Sequence, residues 1–422
     1  PRPRPPPARG NYAAPTEKAL ALFGYDDLRA EQQKRNERGD TVRLGIGVST
    51  FTEMCGLAPS RVLRDLRYGA GGWEAASIRM LPTGKVEVVT GTSPHGQGHV
   101  TCWSQIAADV LGVPFEDIEV VHGDTLAAPQ GMDTYGSRSL VVGGAAVHRA
   151  AEKVVEKARK VAAHLLEASE QDLEFTGGVF SVKGSPEARK SIQEVALATF
   201  ASHDLPDGME PTINAEHLVD PDNFSFPHGT HLCAVEVDTE TGRTSIRSYV
   251  CVDDVGRVVN PMIVEGQVHG GLAQGIAQAL YEEAVYDDEG NLVSGTMADY
   301  LVPSAADLPD FVTDRTETPA ASGSNPLGVK GVGEAGTIAS TPAVVNAVVD
   351  ALRPLGVNDV RMPCSPHRVW QAIRAARSGT DEQVGGTGPA QSGQSGQAAQ
   401  SGDIGQYGEP GRPGQPGTEG SA

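Results

Sequence analysis

The alternation of hydrophobic and polar residues predicts a mixture of strands and helices between about residues 16 and 377. Residues 85–90 have the two-residue period of a strand, and residues 99–111 carry apolar side chains at helical spacing. Apolar residues recur every three or four positions from about 144 to 169, which predicts a long helix with one buried face. The intervals between such segments are irregular, so the pattern favours an α+β fold over a barrel or a doubly wound sheet.

The second half of the chain predicts hairpins and capped helices. Residues 233–238 and 244–250 are predicted strands around the turn 239–242, and a further hairpin is expected across residues 287–291. A helix rich in glycine and alanine is predicted over residues 265–281. Two more helices are expected to begin at Thr341-Pro342 and Ser365-Pro366, because each pair combines an N-cap hydroxyl with proline at the first helical position.

The two ends of the chain differ in composition from the rest. Residues 1–15 form a proline-rich segment, and residues 378–422 are dominated by Gly, Gln, Ser and Pro. Segments with so few large apolar side chains cannot bury enough surface to fold, so both are predicted to be disordered. The folded part is therefore expected over residues 16–377.

Charge and cysteine content narrow the classes of function. The chain has 34 basic and 54 acidic residues and a formal net charge of −20, which opposes binding to nucleic acid or to an anionic membrane. Its five cysteines are far apart, so neither a disulfide framework nor a CxxC metal site is predicted, and a reduced cytoplasmic setting is expected. No apolar run of about 18 residues predicts a membrane span.

Residues 328–336 are the first candidate for chemistry, because they hold four glycines and a single carboxylate, Glu334. Glycines let a backbone approach a bulky ligand closely, and a carboxylate in such a loop suits a general base near neutral pH. The alternative is a glycine-rich connector with a solvated glutamate.

Three further segments could bind an anion or a polar heterocycle, and each has a structural alternative. Residues 91–101 join a strand to a helix start through three glycines, and could simply cap that helix. Residues 134–139 place hydroxyls around Arg138, which could also be a helix cap beside a surface arginine. Gln267 lies on the glycine-rich helix, where a buried glutamine is often a structural amide. His95 and His99 lack a zinc-motif context, so no metal-binding residue is predicted.

These segments together resemble the molybdenum hydroxylases, the family of xanthine oxidase and aldehyde oxidase, and most closely the large subunits of aerobic carbon monoxide dehydrogenases. The resemblance covers roughly residues 17–377. It is carried by seven ordered blocks, namely GQGH at 96–99, GDT at 123–125, YGSRS at 135–139, VDDVG at 252–256 with NP at 260–261, EGQ at 265–267, QGI at 274–276 and KGVGEAG at 330–336.

The resemblance implies a fold, a cofactor and a reaction. The fold would be the C-terminal molybdopterin-binding domain of the large subunit, built from two α+β subdomains, and the cofactor would be molybdenum with molybdopterin cytosine dinucleotide. Glu334 would be the general base in the hydroxylation of an electron-poor carbon, and the metal would have no direct protein ligand. The cofactor would be held by Gln97, Gly98, His99, Thr101, Ser137, Arg138, Ser139, Gln267, Lys330, Gly331, Val332 and Gly333.

The resemblance also implies partners. Electrons would pass to a small subunit with 2Fe-2S clusters and a medium subunit with FAD. The N-terminal half of the family's large subunit has no counterpart here, so the chain is interpreted as a fragment or as half of a split subunit. That half carries the copper-holding cysteine of carbon monoxide dehydrogenases, and none of the five cysteines here matches it. The substrate could therefore be carbon monoxide, an aldehyde or an N-heterocycle; the alternative to an enzyme is an inactive assembly module.

Overall fold

A computed structural model describes residues 10–56, 59–128 and 131–379, which form nine α-helices and eleven strands. The helices are α1 (Ala13–Phe23), α2 (Tyr25–Arg38), α3 (Ser60–Asp65), α4 (His99–Leu111), α5 (Ala145–Leu165), α6 (Ile192–Ala201), α7 (Pro261–Leu280), α8 (Ala335–Leu352) and α9 (Pro366–Ser378). The strands are β1 (Val42–Thr52), β2 (Glu74–Met80), β3 (Val86–Thr90), β4 (Ile118–Val121), β5 (Leu173–Thr176), β6 (Val179–Val182), β7 (Ser185–Ser191), β8 (Ala215–Val219), β9 (His228–Asp238), β10 (Thr244–Asp254) and β11 (Phe311–Thr316).

The central sheet has the order β1-β9-β10-β11, with β11 parallel to β10 and the other pairs antiparallel. Helices cover both of its faces. Leu232 and Val250 face α1, whereas Val235 and Tyr249 belong to a core with α7, α8 and α9. Because both faces are covered, residues 232–235 of β9 and 249–252 of β10 are apolar at every position rather than at every second one.

A second sheet, in the order β4-β3-β2-β8, packs against α4 and α5. The apolar stripe predicted for the long helix is the buried face of α5, which includes Val147, Val154 and Val161. This helix ends at Leu165 and is preceded by one π-helical turn, Ser139–Gly144. A third, small sheet is formed by β5, β6 and β7.

Most predicted elements are present, but some differ from the prediction in their ends or extent. The helix expected to begin at Pro342 begins at Ala335 and continues through the proline, because its first turns are held by packing against α7. Helix α7 begins at Pro261, four residues before the prediction, because Asn260 Oδ1 accepts a hydrogen bond from Ile263 N at 3.1 Å. The hairpin expected across 287–291 is reduced to one bridge between Tyr286 and Leu292.

The predicted domain limits are changed at both ends. Helix α1 begins at Ala13, so the segment 13–15 is helical rather than disordered. Helix α9 ends at Ser378, so that residue is helical as well. Residues 1–9 and 380–422 of the predicted disordered ends lie outside the described residues. The two largest hydrophobic cores belong to the central and second sheets, and the division into two α+β subdomains stays a prediction. Residues 335–355 are apolar and long enough to cross a membrane, but more than half of that window is buried, as in a core helix.

Helices α7 and α8 touch through glycine. A Cβ atom on Gly271 would lie 2.8 Å from the Cα of Gly336 and 2.8 Å from the backbone nitrogen of Thr337. Both distances are shorter than van der Waals contact, so any side chain at Gly271 would push the helices apart. This close approach fixes where α8 begins, and Glu334 immediately precedes that helix.

We predict that Gly271→Ala destabilises the chain by about 1–3 kcal/mol, because the added methyl group overpacks the contact between α7 and α8. Gly270→Ala is the matched control, since the same methyl group on the same helix meets no atom within 4 Å. The control should be neutral or gain about 0.4–1 kcal/mol. Denaturant unfolding followed by circular dichroism measures both values, and equal effects would contradict the contact.

Candidate functional site

A cavity of about 320 Å³ lies where four segments meet. These are the loop before α4, the turn before the π-helical stretch, the segment from β10 into α7, and the loop before α8. Its lining residues are His95, Gln97, His99, Cys102, Trp103, Thr134, Tyr135, Gly136, Ser137, Ser139, Leu140, Val255, Arg257, Val259, Asn260, Ile263, Val264, Gln267, Lys330, Gly331, Val332, Gly333 and Glu334.

A buried ion pair anchors the loop before α8. Lys330 Nζ lies 2.7 Å from Asp254 Oδ1, and both side chains are almost completely buried. The backbone nitrogen of Lys330 also donates to Val255 O at 2.8 Å. Burial alone would raise the pKa of Asp254, but hydrogen bonds from Lys330, Thr318 and Thr316 hold that pKa below its usual value. The loop is therefore tied to the end of β10 by a charged aspartate.

Gly331 lets the loop cross closely over two other segments. A Cβ atom there would lie 2.7 Å from the Cβ of Ser137 and 2.8 Å from the Sγ of Cys55. Gly331 N instead donates to Cys55 Sγ at 3.3 Å. Burial raises the pKa of Cys55 to about 12, so this sulfur is a neutral thiol that supports the loop.

Glu334 and Ser137 form a reciprocal contact at the cavity. The hydroxyl of Ser137 donates to Glu334 Oε2, and the backbone nitrogen of Glu334 donates to Ser137 Oγ at 3.1 Å. Ser137 has a φ of 54°, a left-handed conformation that is uncommon outside glycine and often marks functional sites. The Glu334 side chain is exposed and lines the cavity.

A second carboxylate, Glu53, lies beside Glu334. It follows the last residue of β1, and its buried Oε2 atom has no hydrogen-bond partner in the described part of the chain. Burial, followed by the negative charge of Glu334, raises the pKa of Glu53 to about 8. Glu53 is therefore mostly protonated at neutral pH.

One wall of the cavity combines aromatic rings with unpaired polar atoms. The rings of His99 and Trp103 lie 5.1 Å apart. Burial lowers the pKa of His99 to about 4, so the ring is neutral at physiological pH. Within the described part of the chain, the buried atoms His99 Nδ1 and Trp103 Nε1 have no hydrogen-bond partner. A ligand with polar groups could satisfy them.

The structure brings together most of the site residues predicted from the sequence. Those that line the cavity are Gln97, His99, Ser137, Ser139, Gln267, Lys330, Gly331, Val332, Gly333 and Glu334. Gly98, Thr101 and Arg138 do not line it. Gly98 turns the chain into α4 with a φ of 82°, and Thr101 lies within that helix.

Arg138 and Lys330, two of the predicted cofactor-binding residues, each pair with a carboxylate of the protein itself. The Arg138 guanidinium is fully buried, 2.8 Å from Glu74, and it also donates to the carbonyl oxygens of Gly72 and Trp73. The Lys330 ammonium is occupied by Asp254. Both side chains hold loops in position, and the partner of each is distant in the sequence.

Other residues at the site were not predicted. Glu53 and Glu74 lie in no recognisable motif, and nothing local in the sequence indicates their contacts. The wall formed by Val255, Arg257 and Ile263 was also missed. Its signals were the block VDDVG at 252–256 and the pair Asn260-Pro261, which caps α7.

One buried group of potential metal ligands lies elsewhere, at His231, Cys251 and Asp253. The imidazole contacts Tyr249 Oη at 3.0 Å through Nδ1 and Asp253 Oδ1 at 3.2 Å through Nε2. Both ring nitrogens are therefore used by the protein itself, and the group joins β9 to β10.

Comparison with known protein families identifies the domain. The model of the molybdopterin cofactor-binding domain matches residues 18–309. The chain belongs to this family. The match confirms the resemblance to molybdenum hydroxylases and the α+β fold inferred from the sequence.

Individual proteins that are similar to this chain support the same family assignment. The carbon monoxide dehydrogenase large chain of Hydrogenophaga pseudoflava is 42% identical over 366 residues, which are 86% of this chain and 45% of the relative. The nicotine 6-hydroxylase large subunit of Paenarthrobacter nicotinovorans is 39% identical, over 86% of this chain and 44% of the relative. A crystal structure of a Cu,Mo-CO dehydrogenase has a TM-score of 0.82 and 41% identity, over 87% of this chain and 46% of that one. The chain thus spans a little under half the length of these relatives.

We predict that Lys330→Met costs about 3–5 kcal/mol of folding free energy, because it leaves Asp254 as an uncompensated buried charge. Lys18→Met is the matched control. Lys18 pairs with Asp314 at the same 2.7 Å, but the two side chains are 40% and 38% exposed. An exposed pair contributes at most about 1 kcal/mol. Denaturant unfolding of the two variants should separate them clearly, and similar losses would refute the anchoring role of Lys330.

Proposed function

We propose that this chain is the molybdopterin-binding, catalytic half of a molybdenum hydroxylase large subunit. The observation that carries the proposal is the contact between Glu334 and Ser137 at the edge of a cavity that Gln97 and Gln267 also line. An exposed carboxylate on a rigid loop, beside amide and hydroxyl groups that bind a heterocycle, is the arrangement that base-assisted hydroxylation requires.

The residues present fit the cofactor that the family name implies. The unpaired His99 Nδ1 and Trp103 Nε1 provide polar atoms at the cavity, and Gln97, Ser139 and Gln267 add amide and hydroxyl groups. These groups would hold the pterin. When bound, the cofactor would supply Lewis acidity and accept the electrons of the reaction. We infer that the cofactor is the cytosine dinucleotide form, on the basis of the sequence resemblance.

Within this chain, Glu334 is proposed to take up the proton that hydroxylation releases. Ser137 holds the carboxylate in place through Oγ, and its own position is set by the crossing of Gly331. Lys330 keeps the loop fixed by its bond to Asp254. The base is thus positioned by contacts that do not change charge during the reaction, which reduces reorganisation.

The substrate is proposed to be a small molecule with an oxidisable carbon, either carbon monoxide or an N-heterocycle or aldehyde. Similarity to a carbon monoxide dehydrogenase, at 42% identity, supports carbon monoxide as the substrate. Similarity to a nicotine 6-hydroxylase, at 39% identity, supports an N-heterocycle almost equally. The partners are proposed to be the other half of the large subunit, a 2Fe-2S subunit and an FAD subunit. The five free, buried cysteines are consistent with a reducing, cytoplasmic setting.

We predict that Glu334→Gln lowers turnover by about 10²–10⁴-fold in the assembled enzyme, because glutamine keeps the shape of the side chain but cannot accept the proton. Molybdenum content, measured by mass spectrometry, should be unchanged. Glu289→Gln is a control, since Glu289 lies in an exposed turn away from the cavity.

The substrate panel for this test spans carbon monoxide, aldehydes and N-heterocycles. Near-wild-type turnover of the Glu334→Gln enzyme with bound molybdenum would eliminate the assigned base. An assembled complex that contains molybdenum but oxidises none of the three classes would favour the alternative function, an assembly module.

A further inference from the structure

Three side chains with metal-binding atoms come together on one face of the central sheet, and none of them lines the cavity at Glu334. They are His231 from β9 and Cys251 and Asp253 from β10. All three are buried, and one ligand atom of each lies within 4.8 Å of the others. His231 is directly opposite Cys251 in the strand register, and Asp253 follows two positions later on the same face. The pairing of β9 with β10 therefore brings the three side chains together.

The imidazole and the carboxylate have nearly the spacing of two ligands of one metal ion. His231 Nε2 lies 3.2 Å from Asp253 Oδ1. Two donor atoms at about 2.0–2.1 Å from a tetrahedral zinc ion are roughly 3.3–3.4 Å apart. In the metal-free chain the same two atoms share a hydrogen bond, which Nε2 donates to the carboxylate. A zinc ion can therefore take the place of that proton with little movement of either side chain.

The surroundings already fix both side chains for such a role. His231 Nδ1 contacts Tyr249 Oη at 3.0 Å, and a partner on the second ring nitrogen orients a metal-binding imidazole. Gly229 is opposite Asp253 in the ladder, and a Cβ atom at Gly229 would collide with Asp253 Oδ1. The missing side chain of Gly229 thus leaves the space in which the carboxylate lies.

Asp253 also has an oxygen atom that the protein does not use. Its Oδ2 atom is buried and has no hydrogen-bond partner in the described part of the chain. A buried carboxylate oxygen normally has a partner, which is often water or an ion. Asp253 lines a cavity of about 120 Å³ between the end of β10, α7 and β11, and a cavity of this size holds water. This cavity provides a route for a metal ion and a position for a water ligand.

The charged groups at this second cavity do not oppose a cation. Glu265 and Asp314 line it with side chains that are 60% and 38% exposed. Arg315 lines it as well, but its Nε atom lies 3.9 Å from Glu317. Lys18 matches the charge of Asp314 at 2.7 Å. The exposed carboxylate of Glu265 therefore adds a negative charge along the route to Asp253.

The donor atoms select the kind of metal. One nitrogen, one sulfur and one oxygen suit zinc, whereas calcium and magnesium bind oxygen ligands. Burial raises the pKa of Cys251, so the metal-free chain holds a neutral thiol there. A bound zinc ion displaces that proton. Zinc with one thiolate and one carboxylate has no net charge, which is the condition that a buried site must meet.

We propose that His231, Cys251 and Asp253 bind one zinc ion, which joins β9 to β10 in the core of the central sheet. Binding forms bonds from zinc to Nε2, Sγ and a carboxylate oxygen, and it releases the thiol proton to solvent. The neutral imidazole keeps one proton, which then lies on Nδ1 and is donated to Tyr249 Oη. The ligands are buried, so the ion is structural. This proposal is independent of the proposed function.

Cobalt(II) tests the site in the purified chain, because it replaces zinc and a thiolate bound to it gives a charge-transfer absorption band. The reduced wild-type chain should bind one Co²⁺ with this band, and added zinc should remove the band by displacement. A wild-type chain that shows no stoichiometric band would overturn the proposal. Tyr249→Phe removes the partner of Nδ1 and should weaken binding about 10- to 100-fold.

Cys251→Ala should abolish the cobalt band. Cys233→Ala is the matched control, because Cys233 is an equally buried thiol of the same core but is not one of the three ligands. Asp253→Asn keeps the shape of the carboxylate and should also lose the band, which covers the case that Cys251→Ala does not fold. A band that survives in Cys251→Ala or Asp253→Asn would mean that the metal binds elsewhere, and the assignment would be wrong.

Thermal unfolding with and without zinc gives an independent measure. Zinc that binds the folded chain should raise the unfolding temperature of the wild type and of Cys233→Ala, and a chelator should reverse the rise. Cys251→Ala and Asp253→Asn should not respond to zinc. An equal response in all four proteins would contradict binding at these three residues.

Discussion

The buried pair of Lys330 and Asp254 is the contact on which the rest of the site depends. It joins the loop before α8 to the end of a central strand, and additional hydrogen bonds from Thr316 and Thr318 complete the coordination of the aspartate. A loop rich in glycine has many accessible conformations and loses much entropy when it folds. A single buried charge with several donors is a strong means of selecting one of those conformations, because any other leaves the charge unpaired.

The site is built on elements that are distant in the sequence but adjacent in the fold. Strand β1 runs the full length of β9, and its extension carries Glu53 and Cys55 beneath the loop. Phe51, at the end of the same strand, packs on Ala335 and Ala339 of α8. The central sheet thus supports the loop through the end of β1, while α7 fixes the start of α8, which follows the loop.

Local patterns in the sequence predicted the elements well and their ends less well. Strands such as β3, β9 and β10 and helices such as α4 and α5 were found because burial follows the period of each structure. The elements α1, α2, α3, α6, β1, β2, β5, β6, β7, β8 and β11 were not predicted individually. Pro342 was misleading because a hydroxyl followed by proline is a local helix-start signal, whereas the actual start is set by packing between α7 and α8. Tertiary contact therefore overrode a correct local rule.

The candidate site, too, could be predicted from the sequence only in part. The loops that line the cavity were predictable from ordered motifs, because glycine, amide and hydroxyl residues cluster there. The partners of Arg138 and Lys330 were not, since they lie 64 and 76 residues away in the sequence. Both cations were expected to meet an anionic ligand, and both meet a carboxylate of the protein. Glu53 was missed because one carboxylate after an apolar strand carries no signal of its environment.

The contact between Gly271 and Gly336 has a further consequence for the accuracy of the site. One residue of slippage along a helix moves a side chain by about 1.5 Å, and displacements near 1 Å are enough to impair a catalytic group. Because neither glycine has a side chain, the backbones of α7 and α8 are in direct contact, and this contact prevents one helix from sliding along the other. The position of the Glu334 carboxylate is therefore set by a backbone-to-backbone contact, which allows less movement than a contact between flexible side chains. Substitutions in the core between these helices should therefore alter the alignment of the base even when the cavity itself is unchanged.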